Sequence, residues 1–147
     1  MRRLLYAGLA LATGIVTTAA FATDDPILTR KKLMQANGGA AGAMQAMIKG
    51  ETPFSAAVAQ SALRTFNAVA YSVGDYFPAG SDQGETRASP KIWEDMAGFQ
   101  QILVNFQQAT DAARQTEPQS VEDLQAAMGE IGKTCGGCHE TYRLEQN

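Results

Sequence analysis

Apolar residues recur every three, four or seven positions along four segments of the chain, which is the period of an amphipathic α-helix. The first segment starts at Asp25, a good N-cap, with Pro26 at the first helical position, and runs to about Lys49. One seven-residue stripe in it consists of Ile27, Met34, Ala41 and Ile48. No segment has the strict apolar and polar alternation of a strand, so the pattern predicts an all-α chain.

The run Asn37-Gly38-Gly39 is a local objection to one continuous first helix. An Asn-Gly pair resembles a C-cap, and each glycine costs a helix about 1 kcal/mol relative to alanine. We nevertheless predict that the helix continues, because the small residues from Gly38 to Gly42 would let a bulky group approach its backbone closely. A break at this run is the alternative.

Proline, serine and threonine delimit the other three helices. The second is predicted from Thr52-Pro53 to about Tyr76, the third from Ser89-Pro90 to about Gln115, and the fourth from Ser120 into the segment around Cys135. Asp123, three residues after Ser120, completes a variant capping box. Four helices joined by mostly short loops favour an antiparallel up-down-up-down four-helix bundle.

The first 22 residues have the pattern of a secretory signal peptide. Arg2 and Arg3 precede an apolar run, and the small-x-small pattern Ala20-Phe21-Ala22 predicts cleavage after Ala22. The apolar run is shorter than the roughly 20 residues that cross a bilayer, so we expect no stable membrane anchor. Export to the bacterial periplasm is the predicted location.

Composition and charge exclude one class of partner. Loss of Arg2 and Arg3 with the signal peptide leaves 10 basic against 15 acidic residues, a formal charge of −5. Such an acidic chain is not expected to bind nucleic acid. The roughly 125 residues of the remaining segment, 23–147, fit one domain with one hydrophobic core.

The nine residues CGGCHETYR, from Cys135 to Arg143, hold both cysteines and the only histidine of the chain. A zinc site would need a fourth ligand, and a thiol–disulfide switch usually places Cys-x-x-Cys at the start of a helix that follows a strand. Covalent attachment of haem uses two thiols at this spacing and a histidine directly after them. The motif therefore predicts a haem bound through Cys135 and Cys138, with His139 as an iron ligand.

Three segments resemble the class II c-type cytochromes, the cytochrome c′ family. They are IGKTCGGCHETYR from Ile131 to Arg143, SPKIW from Ser89 to Trp93, and KGETPFSAAV from Lys49 to Val58. The resemblance implies a four-helix bundle with one haem c per chain, joined through two thioethers. It also implies redox partner proteins or small gases as partners, and a monomer or a homodimer. The sequence has no second histidine and no evident acid–base constellation, so we expect no enzymatic activity.

The family divides at one position of the first helix. Low-spin members supply a methionine to the iron and carry electrons, whereas high-spin members leave the iron five-coordinate and bind small gases such as nitric oxide. The segment RKKLMQANG resembles the low-spin branch, which implies that Met34 is the sixth ligand. Arg30 matches a family position where arginine approaches a haem propionate, and a solvated side chain is the alternative.

Helix geometry gives a separate argument for Met34. In the predicted bundle the end of the fourth helix lies beside the start of the first. At 1.5 Å per residue, His139 would lie about 9 Å from its helix end and Met34 about 12 Å from its helix start. The two residues would therefore lie at about the same level of the bundle, which favours Met34 as the sixth ligand. Met44 and Met47 would lie about 15 and 20 Å further along, which favours core packing for both.

Overall fold

The computed structural model describes residues 25–145, so the predicted signal peptide and its cleavage site lie outside the described residues. Four long helices form the fold: α1 (Pro26–Ile48), α2 (Ala56–Ser72), α4 (Met96–Thr116) and α5 (Val121–Tyr142). A 3₁₀ turn at Val73–Tyr76 extends α2, and a short helix α3 (Lys91–Glu94) precedes α4. The described residues include one isolated bridge, Ala88 to Arg143, and no strand, which confirms the all-α prediction.

The long helices pack in the order α1–α2–α4–α5, and α5 closes the arrangement against α1. Helices that follow one another along the chain are neighbours in space, which confirms the predicted antiparallel four-helix bundle. The α1–α5 pair is the loosest of the four neighbouring pairs. Among the described residues, no helix is long and apolar enough to cross a membrane.

Helix caps confirm two of the predicted starts. The Asp25 carboxylate accepts hydrogen bonds from the N–H groups of Ile27 and Leu28 at 2.9 and 3.3 Å. The Ser120 hydroxyl accepts a hydrogen bond from the Asp123 N–H at 3.2 Å. The Asp123 carboxylate in turn accepts from the Gln119 N–H, which lies before the helix, at 3.0 Å. Between its caps α1 is unbroken through the Asn37-Gly38-Gly39 run, as predicted.

One predicted helix start and the continuity of one predicted helix were wrong. Helix α2 starts at Ala56, not at Thr52-Pro53, because the Ser55 hydroxyl caps it by accepting from Val58 N–H at 3.4 Å. The third predicted helix is broken at Asp95, whose backbone leaves the helical region at φ −130° and ψ 58°. The break divides it into the short helix α3 and the long helix α4.

The core has a large part and a small part. The large part joins all four long helices around Met44, Leu63, Phe66, Leu124 and Ile131. The small part lies at the end of the bundle where α5 stops and contains Ile92, Phe99 and Tyr142.

The seven-residue stripe of α1 is not its buried side. The structure buries Met44 and Met47, as predicted, together with Arg30 and Ala40, whereas Met34 stays 38% exposed. The buried positions are offset from the stripe, although Ala41 and Ile48 of the stripe pack partly against the core.

Candidate cofactor site

Helix α5 carries the whole Cys-x-x-Cys-His motif in its last two turns, as predicted. Cys135, Cys138 and His139 are all half-buried, and the two cysteines form no disulfide with each other. Cys135 packs against the large core and Cys138 against the small one. The motif therefore lies at the junction of the two cores, with its side chains neither sealed in the interior nor fully in solvent.

The two cysteine thiols have raised pKa values and therefore low nucleophilicity in the polypeptide without haem. Burial raises the pKa of the Cys135 thiol, and burial together with the nearby Cys135 raises the pKa of Cys138 to about 11. Both thiols are therefore protonated at neutral pH. A thiol–disulfide switch needs a lowered thiol pKa, so this environment argues against that activity.

His139 lies in a positive field. It lines a surface cavity with Arg87, Gly136, Glu140 and Arg143. Burial lowers the pKa of His139, and the charges of Arg143 and Arg87 lower it further. The imidazole is therefore neutral at neutral pH, which is the form that binds a metal.

The residues of the motif fit a haem. Two thiols separated by two residues and a neutral imidazole directly after them supply the bonds that covalent haem attachment requires. A Cβ added at Gly136 or Gly137 would meet no atom within 4 Å, so there is open space beside the motif. Among residues 25–145, no three Cys, His, Asp or Glu side chains are grouped closely enough to hold a bare metal ion.

Two of the small residues of α1, Gly39 and Ala40, lie beside α2. Gly39 and its neighbours line an apolar groove with residues of α2. The lining consists of Ala36, Gly39, Ala40, Ala43, Ala57, Val58, Ser61, Ala62 and Thr65. Since no residue of α5 lines this groove, it does not mark the side of α1 that faces the Cys135 motif.

Met34 lies on the helix that packs loosely against α5, but the height argument for it was wrong. Helix α5 ends at Tyr142, so His139 lies only about 4.5 Å from the helix end, whereas Met34 lies about 12 Å from the start of α1. The two distances from the helix ends are therefore not matched, and the approach of Met34 to the iron stays a prediction. Met34 is 38% exposed and is not among the buried core residues.

A buried polar atom lies one turn from Met34. The side-chain oxygen of Asn37 is buried and accepts no hydrogen bond within the described residues. Residues at i and i+3 share a helix face, so Asn37 and Met34 lie next to each other along α1. An unpaired buried acceptor is costly, and a hydrogen-bond donor on a further group beside this part of α1 would remove that cost.

Arg30 is buried, not solvated: its side chain is only 5% exposed. The guanidinium donates to the Tyr76 carbonyl, to both the hydroxyl and the carbonyl of Ser81, and to the Thr86 hydroxyl, at 2.8 to 3.2 Å. It also lies 4.7 Å from the ring centre of Phe77. Arg30 thus ties the α2–α3 loop to α1, and its contact with a haem propionate stays a prediction.

Sequence reasoning missed a contact between the end of α5 and the start of α4. The Tyr142 hydroxyl donates to the Asp95 carboxylate at 2.7 Å. Asp95 is also the residue at which the third predicted helix breaks. Tyr142 and Asp95 are 47 positions apart, so no local pattern in the sequence indicates their contact. The one local signal was that aspartate is a favoured N-cap residue, which allows a helix to start after Asp95.

Comparison with known proteins agrees with this geometry. The family profile described as Cytochrome C' matches residues 25–143. Cytochrome c-556 of Agrobacterium fabrum is 34% identical over 137 residues, 93% of each chain. The solved cytochrome c' from Rhodopseudomonas palustris is 33% identical with a TM-score of 0.80, covering 85% of this chain and all of that one. The structure of oxidised cytochrome c556 from the same organism is also 33% identical, with a TM-score of 0.75 over the same shares.

A four-helix bundle with a Cys-x-x-Cys-His motif in its last helix defines a helical c-type cytochrome. The chain belongs to the cytochrome c′ family, the class II c-type cytochromes. Its cofactor is one covalent haem c, and its function is that of an electron-transfer or gas-binding cytochrome.

Proposed function

We propose that this chain is a periplasmic electron-transfer protein whose haem is joined to Cys135 and Cys138 and ligated by His139 and Met34. The observation that carries the proposal is the placement of both thiols and the neutral imidazole within two turns of α5. When bound, the haem supplies the one-electron couple between Fe(III) and Fe(II). The polypeptide supplies the ligands and the burial.

Each ligand has a separate role in this proposal. His139 supplies an imidazole nitrogen whose basicity is limited by Arg143 and Arg87. Met34 supplies a thioether, a soft ligand that favours the ferrous state and so raises the reduction potential. A protein ligand at the sixth position also removes the need to gain or lose a ligand when an electron is transferred.

Relatives named cytochrome c-556 and the location of Met34 on α1, a helix that neighbours α5, support the His and Met pair. The alternative is a five-coordinate haem protein that binds small gases such as nitric oxide. One observation favours it: Met34 is 38% exposed and is not one of the buried core residues of α1, so its thioether could be displaced from the iron. The TM-score is also higher with the cytochrome c' structure, at 0.80, than with the cytochrome c556 structure, at 0.75.

The remaining assignments belong to the same proposal. Export with cleavage near Ala22 would place the protein in the periplasm, where covalent attachment protects the two thiols from oxidation. Its partners would be redox proteins, and the protein itself would be a monomer or a homodimer. Arg30 would approach a propionate in addition to its hydrogen bonds with the loop.

Replacing Cys135 and Cys138 together by alanine is expected to abolish covalent haem attachment. The intact mass of the denatured wild-type chain should exceed that of the polypeptide by one haem, and the double variant should show the polypeptide alone. Each single variant is the matched control, because one thioether is enough to retain the haem in denaturant. A wild-type mass equal to the bare polypeptide would end the assignment of these residues.

Reversible reduction tests the electron-transfer role. We expect a one-electron titration in which the ferric and ferrous forms are both low-spin and no ligand is exchanged. Slow reduction with hysteresis, accompanied by a change of spin state, would show that the sixth ligand leaves the iron. That result would favour the gas-binding function.

A further inference from the structure

We propose that Asp95 and Tyr142 are positioning residues for His139. Together they form a lock between α4 and α5 that fixes the last turn of the haem-binding helix, and with it the orientation of the imidazole. The inference rests on the proposed role of His139 as an iron ligand.

The Tyr142 side of the lock holds α5 at its end. Tyr142 follows His139 by three residues, is 4% exposed, and is the last residue of the helix. Its hydroxyl donates to Asp95 at 2.7 Å, and its ring packs edge-on against Phe99 with 5.4 Å between ring centres. Its carbonyl oxygen accepts from the Ser89 N–H at 3.0 Å. One residue therefore fixes the helix end through its hydroxyl, ring and backbone.

The Asp95 side of the lock holds the start of α4. One carboxylate oxygen accepts from the Gly98 N–H at 3.1 Å as an N-cap, and the other accepts from Tyr142. The bond to Tyr142 lowers the pKa of Asp95, so the carboxylate is ionised and the bond is charge-assisted. A Cβ at Gly98 would lie 2.6 Å from the Tyr142 hydroxyl oxygen, so only glycine leaves room for the contact.

The lock acts on His139 because a helix end frays over its last turn unless it is held. His139 lies within that last turn, and Cys138 packs against the same small core as Tyr142. Loss of the Tyr142 anchor would free the backbone on which the imidazole is mounted, whereas the thioether at Cys135 lies one turn further inside. The lock therefore controls the imidazole more than it controls haem attachment.

The chain contains a matched control for this contact. The Tyr71 hydroxyl donates to the Asp111 carboxylate at 2.6 Å, between α2 and α4, and Tyr71 is 57% exposed. Tyr71→Phe therefore removes a Tyr–Asp bond of the same chemistry from another part of the bundle. His139 is the only histidine, so a ¹⁵N-histidine label reports on one imidazole in the haem-loaded protein.

The test compares Tyr142→Phe with Tyr71→Phe in the ferric haem-loaded protein. Tyr142→Phe should shift and broaden the paramagnetic ¹⁵N signals of His139 and change the reduction potential. It should also speed amide exchange in residues 138–142 tenfold or more. Tyr71→Phe should leave all three at wild-type values. Asp95→Asn, which keeps an acceptor without charge, should shift the same signals by a smaller amount.

If Tyr142→Phe lowers only the melting temperature, and its His139 signals and potential match those of Tyr71→Phe, the lock is structural and the proposal fails. If Tyr142→Phe does not fold with haem, Asp95→Asn decides by the same signals. Failure of the proposed function looks different. If His139 is not an iron ligand, its wild-type signals carry no paramagnetic shift before any variant is made; if His139 is a ligand but Met34 is not, the wild type is high-spin and binds carbon monoxide, and the Tyr142→Phe comparison still applies.

Discussion

Met34→Ala is expected to convert a low-spin haem protein into a high-spin one while the haem stays covalently attached. The substitution removes the thioether at the sixth position and leaves Cys135, Cys138 and His139 untouched. Carbon monoxide should then bind the ferrous iron. The reduction potential should fall, because the ligand that favours Fe(II) is gone. Absorption spectra of both oxidation states and a potentiometric titration measure these changes.

Two other methionines of α1 provide the controls. Met44 and Met47 are 0% and 2% exposed in the core, so Met44→Ala and Met47→Ala should each cost about 2–5 kcal/mol of stability. Neither should alter the haem spectrum. A Met34→Ala protein that keeps the wild-type spin state and gas affinity would identify Met34 as a residue without a role at the iron.

Arg30→Met should lower the free energy of unfolding by about 3 kcal/mol. The substitution removes the donor of four hydrogen bonds to the α2–α3 loop. Each buried acceptor left unpaired costs about 1–3 kcal/mol. Water that hydrogen-bonds to some of these acceptors reduces the total cost. For a domain of this size the melting temperature should fall by roughly 10 °C. Thermal unfolding of the haem-loaded protein, followed by circular dichroism, measures the effect.

Arg64→Met is the matched control for Arg30→Met, because Arg64 is exposed on α2. It should change stability by about 0.5 kcal/mol or less. Equal melting temperatures for the two variants would contradict the loop-anchoring role of Arg30. A large change in reduction potential with an unchanged melting temperature would instead support a propionate contact as its main role.

Signals that act within one helical turn were predictable from the sequence. Asp25 and Ser120 cap the helices that they precede, because a capping bond joins residues two or three positions apart. The Cys135 motif was equally accessible, since its chemistry is contained in five consecutive residues. The bundle followed from four helical segments and short connections.

Features that depend on residues distant in sequence were not predictable. The break at Asp95 is stabilised by Tyr142, 47 positions away, and the burial of Arg30 depends on Ser81, 51 positions away. The predicted distance of His139 from the end of its helix was wrong, because the end of α5 is set by contacts of Tyr142 with α4 and with Ser89. Each of these features depends on contacts between residues far apart in the sequence, so the pattern of neighbouring residues does not predict it.

The absorption spectrum of the purified ferrous protein, recorded before and after addition of carbon monoxide, tests the central claim most directly. A haem ligated by His139 and Met34 should give low-spin bands that carbon monoxide leaves unchanged. A high-spin ferrous spectrum that shifts on addition of carbon monoxide would contradict the claim and favour the gas-binding function.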